Sequence, residues 1–306
     1  MPPNRTRPRR RAVRRSAVIG TALVLLLAVV GYLIYHSFQQ VSPPVAVAPG
    51  CQAGTGPQAV SLDVDQAGIA ATIAGVAARR KLPRQAVTIA YAAALQESQL
   101  QNLDYGDRDS VGVFQQRPSQ GWGTTAEIEN PVYATTRFFA ALVRVPGYTK
   151  MPVDQAAQDV QHSADGLAYE QWVGVATLLT GYFTGSSPAA VSCWYTPAGK
   201  ADLAGALRQL NQTFGLGGKD AVQVRVTTDR SDKKKKKSSV AVVHVPRDGA
   251  WTVAGWLVAH AEQYGISQIR YAGYVWNAAN GSMGWQRAAK LTPATSQARD
   301  SVVAAQ

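Results

Sequence analysis

One short stretch of the chain combines residue types suited to acid chemistry. It begins at Gln96-Glu97-Ser98 and runs through Tyr105-Gly106-Asp107-Arg108-Asp109-Ser110 to Gly112-Val113-Phe114-Gln115-Gln116. Apolar periodicity puts Glu97 at the C-terminal end of a helix. The negative end of the helix dipole and a partly apolar setting both disfavour a carboxylate there and favour the protonated acid. A glutamic acid that keeps its proton can protonate a leaving oxygen, as cleavage of a glycosidic bond requires. The competing reading of such a residue is a solvated carboxylate on a helix end.

Several elements must position this stretch. Residues 64–81 carry apolar side chains at helical spacing, with Asp63 or Asp65 as a cap. Pro83 precedes a second helix over 84–99, whose many alanines predict close packing. A polar loop with glycine and proline follows over 102–127, and Asn130-Pro131 opens a third helix to about residue 144. Further helical patterns cover 152–162 and 167–182. After Phe214-Gly215 the pattern changes. Residues 221–228 and 238–245 alternate as strands around the turn Asp232 to Lys237. A helix over 250–264, a strand over 267–276 and a polar, disordered tail complete the reading.

The net charge of +12 is confined to two places. Seven arginines lie in residues 1–15 and five lysines form Lys233 to Lys237; without those twelve, basic and acidic residues balance at 19 each. The basicity is therefore not a binding face, and no aromatic-basic stripe points to nucleic acid. Residues 17–35 form an uncharged run of 19 residues, long enough to cross a membrane. The arginine flank predicts a cytoplasmic N-terminus and an external bulk. A cleaved signal peptide is the alternative, which the length and bulky end of the run disfavour. Cys51 and Cys193 bracket the helical block, so a disulfide between them is expected, two separate buried thiols being the alternative. The four histidines are scattered without a metal spacing, so no metal or cofactor is predicted.

The spacing resembles that of soluble lytic transglycosylases and goose-type lysozymes. These carry a catalytic Glu-Ser and, fifteen residues later, Gly-Leu-Met-Gln or a variant. Here Glu97-Ser98 is followed by Gly112-Val113-Phe114-Gln115. Asn130-Pro131 with Tyr133, Phe138, Phe139 and Leu142 is similar to the family's next landmark. The stretch from Asn102 to Trp122 also resembles a group of exported actinobacterial proteins. The chain departs from the family in having Phe114 for the usual Met and no evident Tyr-Asn motif. Val160-Gln161-His162-Ser163 corresponds to that motif in position, or Tyr169 substitutes for it.

The resemblance implies a lytic transglycosylase, or a lysozyme-type hydrolase, acting on the MurNAc-GlcNAc bond of peptidoglycan with Glu97 as general acid and base. It further implies that Ser98 supports the Glu97 carboxyl. Gln115 and Gln116 would bind acetamido groups, Tyr105 and Trp122 would stack on sugars, and Tyr169 would assist. A hydrolase would need a second carboxylate, for which Asp107 and Asp109 stand nearest; their other reading is loop capping and pairing with Arg108. The alternative function is a non-catalytic peptidoglycan-binding or scaffold protein on a lysozyme-like fold. The expected fold is a mainly α lysozyme-like domain preceded by one transmembrane helix and followed by a small α+β domain. In order these are a basic tail (1–16), transmembrane helix (17–36), external stalk (37–63), lysozyme-like domain (64–195), helix and linker (196–220), α+β domain (221–287) and disordered tail (288–306). The expected location is the cell membrane with the bulk facing the wall, and the expected partners are glycan strands and the membrane.

Overall fold

A computed structural model describes residues 25–32, 48–161, 168–195, 201–216, 225–228, 239–288 and 301–305. The chain separates into two compact units, Met1–Val47 and Ala48–Gln306. In the first, residues 25–32 are helical. Among the described residues no helix is long and apolar enough to cross a membrane. This corrects the expectation of a single transmembrane helix over 17–36, which the described residues do not support. The rest of 17–36, the basic tail and the lysine run lie outside the described residues.

The second unit begins with β1 (Gly50–Ala53) and β2 (Val60–Leu62), which join β3 (Val191–Trp194) in an antiparallel sheet of order β2-β1-β3. Residues 50–53 and 60–62 are thus paired strands and not the expected stalk. The Gly and Pro residues read as linker punctuate two short strands instead. Cys51 stands opposite Cys193 in the β1–β3 register, and the two form a disulfide. The bridge closes the two ends of the helical block.

That block contains α1 (Val64–Arg79), α2 (Arg84–Ser98), the short α3 (Thr125–Ile128), α4 (Pro131–Leu142), α5 (Val153–Gln161) and α6 (Val173–Phe183), and α7 (Leu203–Phe214) packs on it from beyond the bridge. The alanines of α1 and α2 are buried and allow close helix approach. Gly75 carries this furthest, since a Cβ there would stand 2.5 Å from Thr213 and 2.9 Å from Phe214 on α7. Asn130 caps α4 by accepting from the Val132 and Tyr133 amides, and Pro131 occupies the first turn, as the Asn-Pro pair predicts.

The C-terminal segment contains β4 (Arg225–Thr228), β5 (Ser239–His244), α8 (Arg247–Ala259), α9 (Ala261–Tyr264), β6 (Gln268–Tyr271), β7 (Tyr274–Asn277), β8 (Gln286–Arg287) and β9 (Ser301–Ala305). The sheet order is β4-β5-β9-β6-β7-β8, with antiparallel pairs throughout. Two expectations change here. The strand expected over 267–276 is a hairpin turning at Ala272 and Gly273, both at positive φ as a tight two-residue hairpin turn requires. The tail expected to be disordered supplies β9, a central strand with Val302 and Ala304 fully buried.

α8 is apolar on nearly every side: Val253, Ala254, Trp256, Leu257 and Val258 are all buried. A helix without a polar face must be covered all round. It lies against α1 of the helical block, against α7 and against β3, β6 and β9. One continuous core therefore runs from Ile73, Ile89 and Phe138 to Trp256, Ile269 and Trp276. The helical and α+β segments, expected as successive domains, form a single compact unit.

Candidate active site

Glu97 is set by the way α2 ends. Gln99 and Leu100 both adopt left-handed backbone, at φ 56° and 59°. Their amides donate to the carbonyls of Leu95 and Ala94, which closes the helix. Leu100 is fully buried and pins the turn to the core. Glu97 therefore stands in the last helical turn, half-buried.

The hydroxyl of Tyr169 donates to Glu97 Oε1 at 2.6 Å. The Tyr169 ring is completely buried, so its position is set by the core. Beside it, Gln96 Oε1 accepts from Trp172 Nε1 at 2.8 Å and from Gln171 Nε2 at 3.2 Å. The turn over 169–172 thus grips two successive side chains at the end of α2. Tyr169 thus engages one of the two carboxyl oxygens of Glu97.

No family model and no curated protein matches this chain. What the site can do is therefore read from its own geometry.

The second wall is the loop after α2. Val111 and Gln116 pair through both backbone hydrogen bonds, forming a small hairpin. Gln115 sits at its turn with φ 46°, and its Nε2 reaches the carbonyls of Tyr105 and Gly112, each at 3.2 Å. Gly106 leaves no room for a Cβ against Gln115 and the Ser110 carbonyl. Gln115 thereby draws the two ends of the loop together. Phe114 is buried and stacks on Phe138 at 4.4 Å, while Gln161 donates to the Phe114 carbonyl at 2.8 Å. The aromatic at the usual Met position is a core residue.

Ser98 is buried and lies 2.7 Å from the Val113 carbonyl and 3.1 Å from that of Ala94. It bonds the helix end to the hairpin, in contrast to the expected bond with Glu97. Asp109 accepts from Arg117 Nε at 2.8 Å and from the Ser119 amide and hydroxyl. The Arg117 hydrogen bond, followed by those of Ser119, holds its carboxyl well below the usual range. The residue is a staple for the loop, with Arg117 in place of the expected Arg108. Asp107 is exposed, 3.9 Å from Arg108.

Tyr105 is exposed and open to a ligand. Trp122 is half-buried against the core, with its carbonyl accepting from Tyr133 and Arg137. Gln116 is 2% exposed; its Nε2 donates to the Ala134 carbonyl, and its Oε1 is buried without a partner among the described residues. Burial turns it inward, away from the acetamido contact expected of it. His162 and Ser163 lie outside the described residues. Sequence reasoning missed Gln96 and Trp172: the motif includes Gln96, but no linear signal joins it to an indole 76 residues away. Among the described residues no three His, Cys, Asp or Glu side chains could hold a metal ion.

Proposed function

We propose that this chain is a lytic transglycosylase of the lysozyme-like superfamily, acting on peptidoglycan outside the cytoplasm. The observation that carries the reading is the 2.6 Å hydrogen bond from buried Tyr169 to Glu97. A tyrosine in this place supplies the positioning that the absent Tyr-Asn motif would otherwise provide. In the proposed reaction Glu97 protonates the glycosidic oxygen between N-acetylmuramic acid and N-acetylglucosamine. The substrate's own N-acetyl carbonyl stabilises the oxocarbenium-like state. Glu97 then takes the proton from the 6-hydroxyl as that oxygen bonds to the anomeric carbon, leaving a 1,6-anhydro end.

The neighbouring carboxylates favour this outcome over hydrolysis. Hydrolysis needs a second carboxylate as nucleophile or base. Asp109 is bound by Arg117 and Ser119, and Asp107 points into solvent. The Cys51–Cys193 bridge fits an oxidising compartment.

The full chain and its Glu97→Gln variant, each incubated with isolated peptidoglycan, provide the test, with released muropeptides read by mass spectrometry. Anhydro ends from the parent alone are expected. Reducing ends from the parent alone would assign a hydrolase. Sedimentation of both proteins with the wall, without release of fragments, would overturn the enzyme reading in favour of a binding or scaffold protein.

A further inference from the structure

A cleft of about 760 Å³ opens where the start of α1 meets the end of α8. Neither Glu97 nor Tyr169 lines it, although Gln101, Asn102 and Leu103 of the loop that follows α2 do. Its volume falls in the range of roughly 300–1,000 Å³ common for small-molecule sites. Three carboxylates stand on its walls, Asp63, Asp65 and Glu262, and no lysine or arginine does. Asp63 belongs to the capping box of α1, its amide donating to Gln66 Oε1 at 2.8 Å. Asp65 and Glu262 form no ion pair among the described residues.

His260 forms part of the same wall and is 7% exposed. Its ring stacks on Trp256 with centroids 3.9 Å apart. Its Nδ1 lies 2.9 Å from the Trp256 carbonyl. A carbonyl can only accept, so Nδ1 carries the proton and Nε2 keeps its lone pair. Nε2 makes no hydrogen bond among the described residues. Its edge faces Gly68, also on the cleft wall, where a Cβ would stand 3.6 Å away. Burial holds the imidazole pKa down to about 4, so this acceptor persists at neutral pH. The negative end of the α8 dipole, at Ala259, meets the positive ends of α1 and α4, at Val64 and Pro131, so the charge of the cleft comes from its carboxylates.

The cleft therefore offers acceptors and negative charge without a paired cation. The three divergent N–H donors of an ammonium suit such scattered acceptors. A metal ion needs a tighter set, and none exists among the described residues. We propose that this cleft binds a primary ammonium group carried by a small, otherwise uncharged molecule, such as the side chain of a diamino acid. Asp65 and Glu262 supply the charge, and His260 Nε2 accepts a hydrogen bond.

The test is a titration of the full chain, with ¹³C-labelled histidine, by Nα-acetyl-L-lysine N-methylamide. The His260 Cε1–H signal, identified by its loss in His260→Gln, is expected to move saturably. The Nε-acetyl form of the probe, which lacks the charge, is expected to bind at least about tenfold more weakly. The double variant Asp65→Asn/Glu262→Gln is expected to lose a similar factor with an unchanged circular dichroism spectrum; should it lose its fold, Asp65→Asn alone serves. Equal binding of the two probes, full affinity in the folded variant, a stationary His260 signal, or no saturable binding each overturns the proposal.

Discussion

Glu97 and His260 both stand where a helix ends, and each is held by an aromatic residue. Glu97 closes α2 in the helical block, with Tyr169 bonded to one of its carboxyl oxygens. His260 caps α8, stacked on Trp256, with one nitrogen bonded to the main chain and the other facing Gly68 on the cleft wall. The difference lies in burial. Glu97 is half-buried at the mouth of a polar loop, whereas His260 is buried at the end of a core helix. A group at a loop mouth can meet a polymer such as a glycan strand. A group walled by core helices can meet only what fits its cleft, and its protonation state is tied to folding.

The largest expected effect is at Glu97. Glu97→Gln keeps the shape and removes the acid, and muropeptide release is expected to fall about 10²- to 10⁴-fold. Stability should not follow; a parallel loss of thermal stability would make Glu97 structural and dissolve the contrast.

Trp256→Ala is the counterpart in the core. Trp256 is fully buried between the helical block and the sheet. Its truncation is expected to cost about 3–5 kcal/mol in denaturant unfolding. Because one core joins the two segments, amide protection should drop in α2 as well as α8. Loss confined to α8 would mean that the segments unfold separately.

His260 links the core to pH. Its folded pKa is lowered from 6.5 to about 4. The unfolded chain takes up a proton near pH 6.5 that the folded chain refuses until near pH 4. Stability therefore falls as pH drops through that window, by about 3 kcal/mol in all, and levels off below it as far as this residue is concerned. Unfolding free energies of the parent and His260→Gln across that window give the check. Equal slopes for the two proteins would remove His260 as the cause.

Tyr169→Phe is the mildest change, deleting one hydroxyl from a buried ring. In the proposed reaction that hydroxyl bonds Glu97 as it gives up its proton, and a hydrogen bond to a charged group is worth about 1.5–3 kcal/mol, so kcat is expected to fall about tenfold or more with KM nearly unchanged. A rise in KM with kcat intact would assign Tyr169 to substrate binding instead of positioning.

Much of the helical block was legible in the sequence, because each helix carries its own signal. Asn130-Pro131 caps α4 locally, and the apolar period of α1 and α2 needs no partner to be read. The strands were less legible. β1 and β2 contain four and three residues, too few for alternation to show, and they exist by pairing with each other and with β3. β9 lies in a stretch that reads as a tail and becomes a central strand only because β5 and β6 flank it.

The candidate site divides in the same way. Position 97, the spacing to Gly112 and Gln115, and the pairing of two cysteines belong to the chain as written. The fate of each polar side chain was settled by the fold. Asp109 became a loop staple, Gln116 turned inward, and Tyr169 came to Glu97 from 72 residues away. The physical reason is range. Helical period and capping act over a few neighbouring residues, and their signals are written contiguously. Burial and long-range hydrogen bonds depend on which surfaces meet, and only the packed structure decides that.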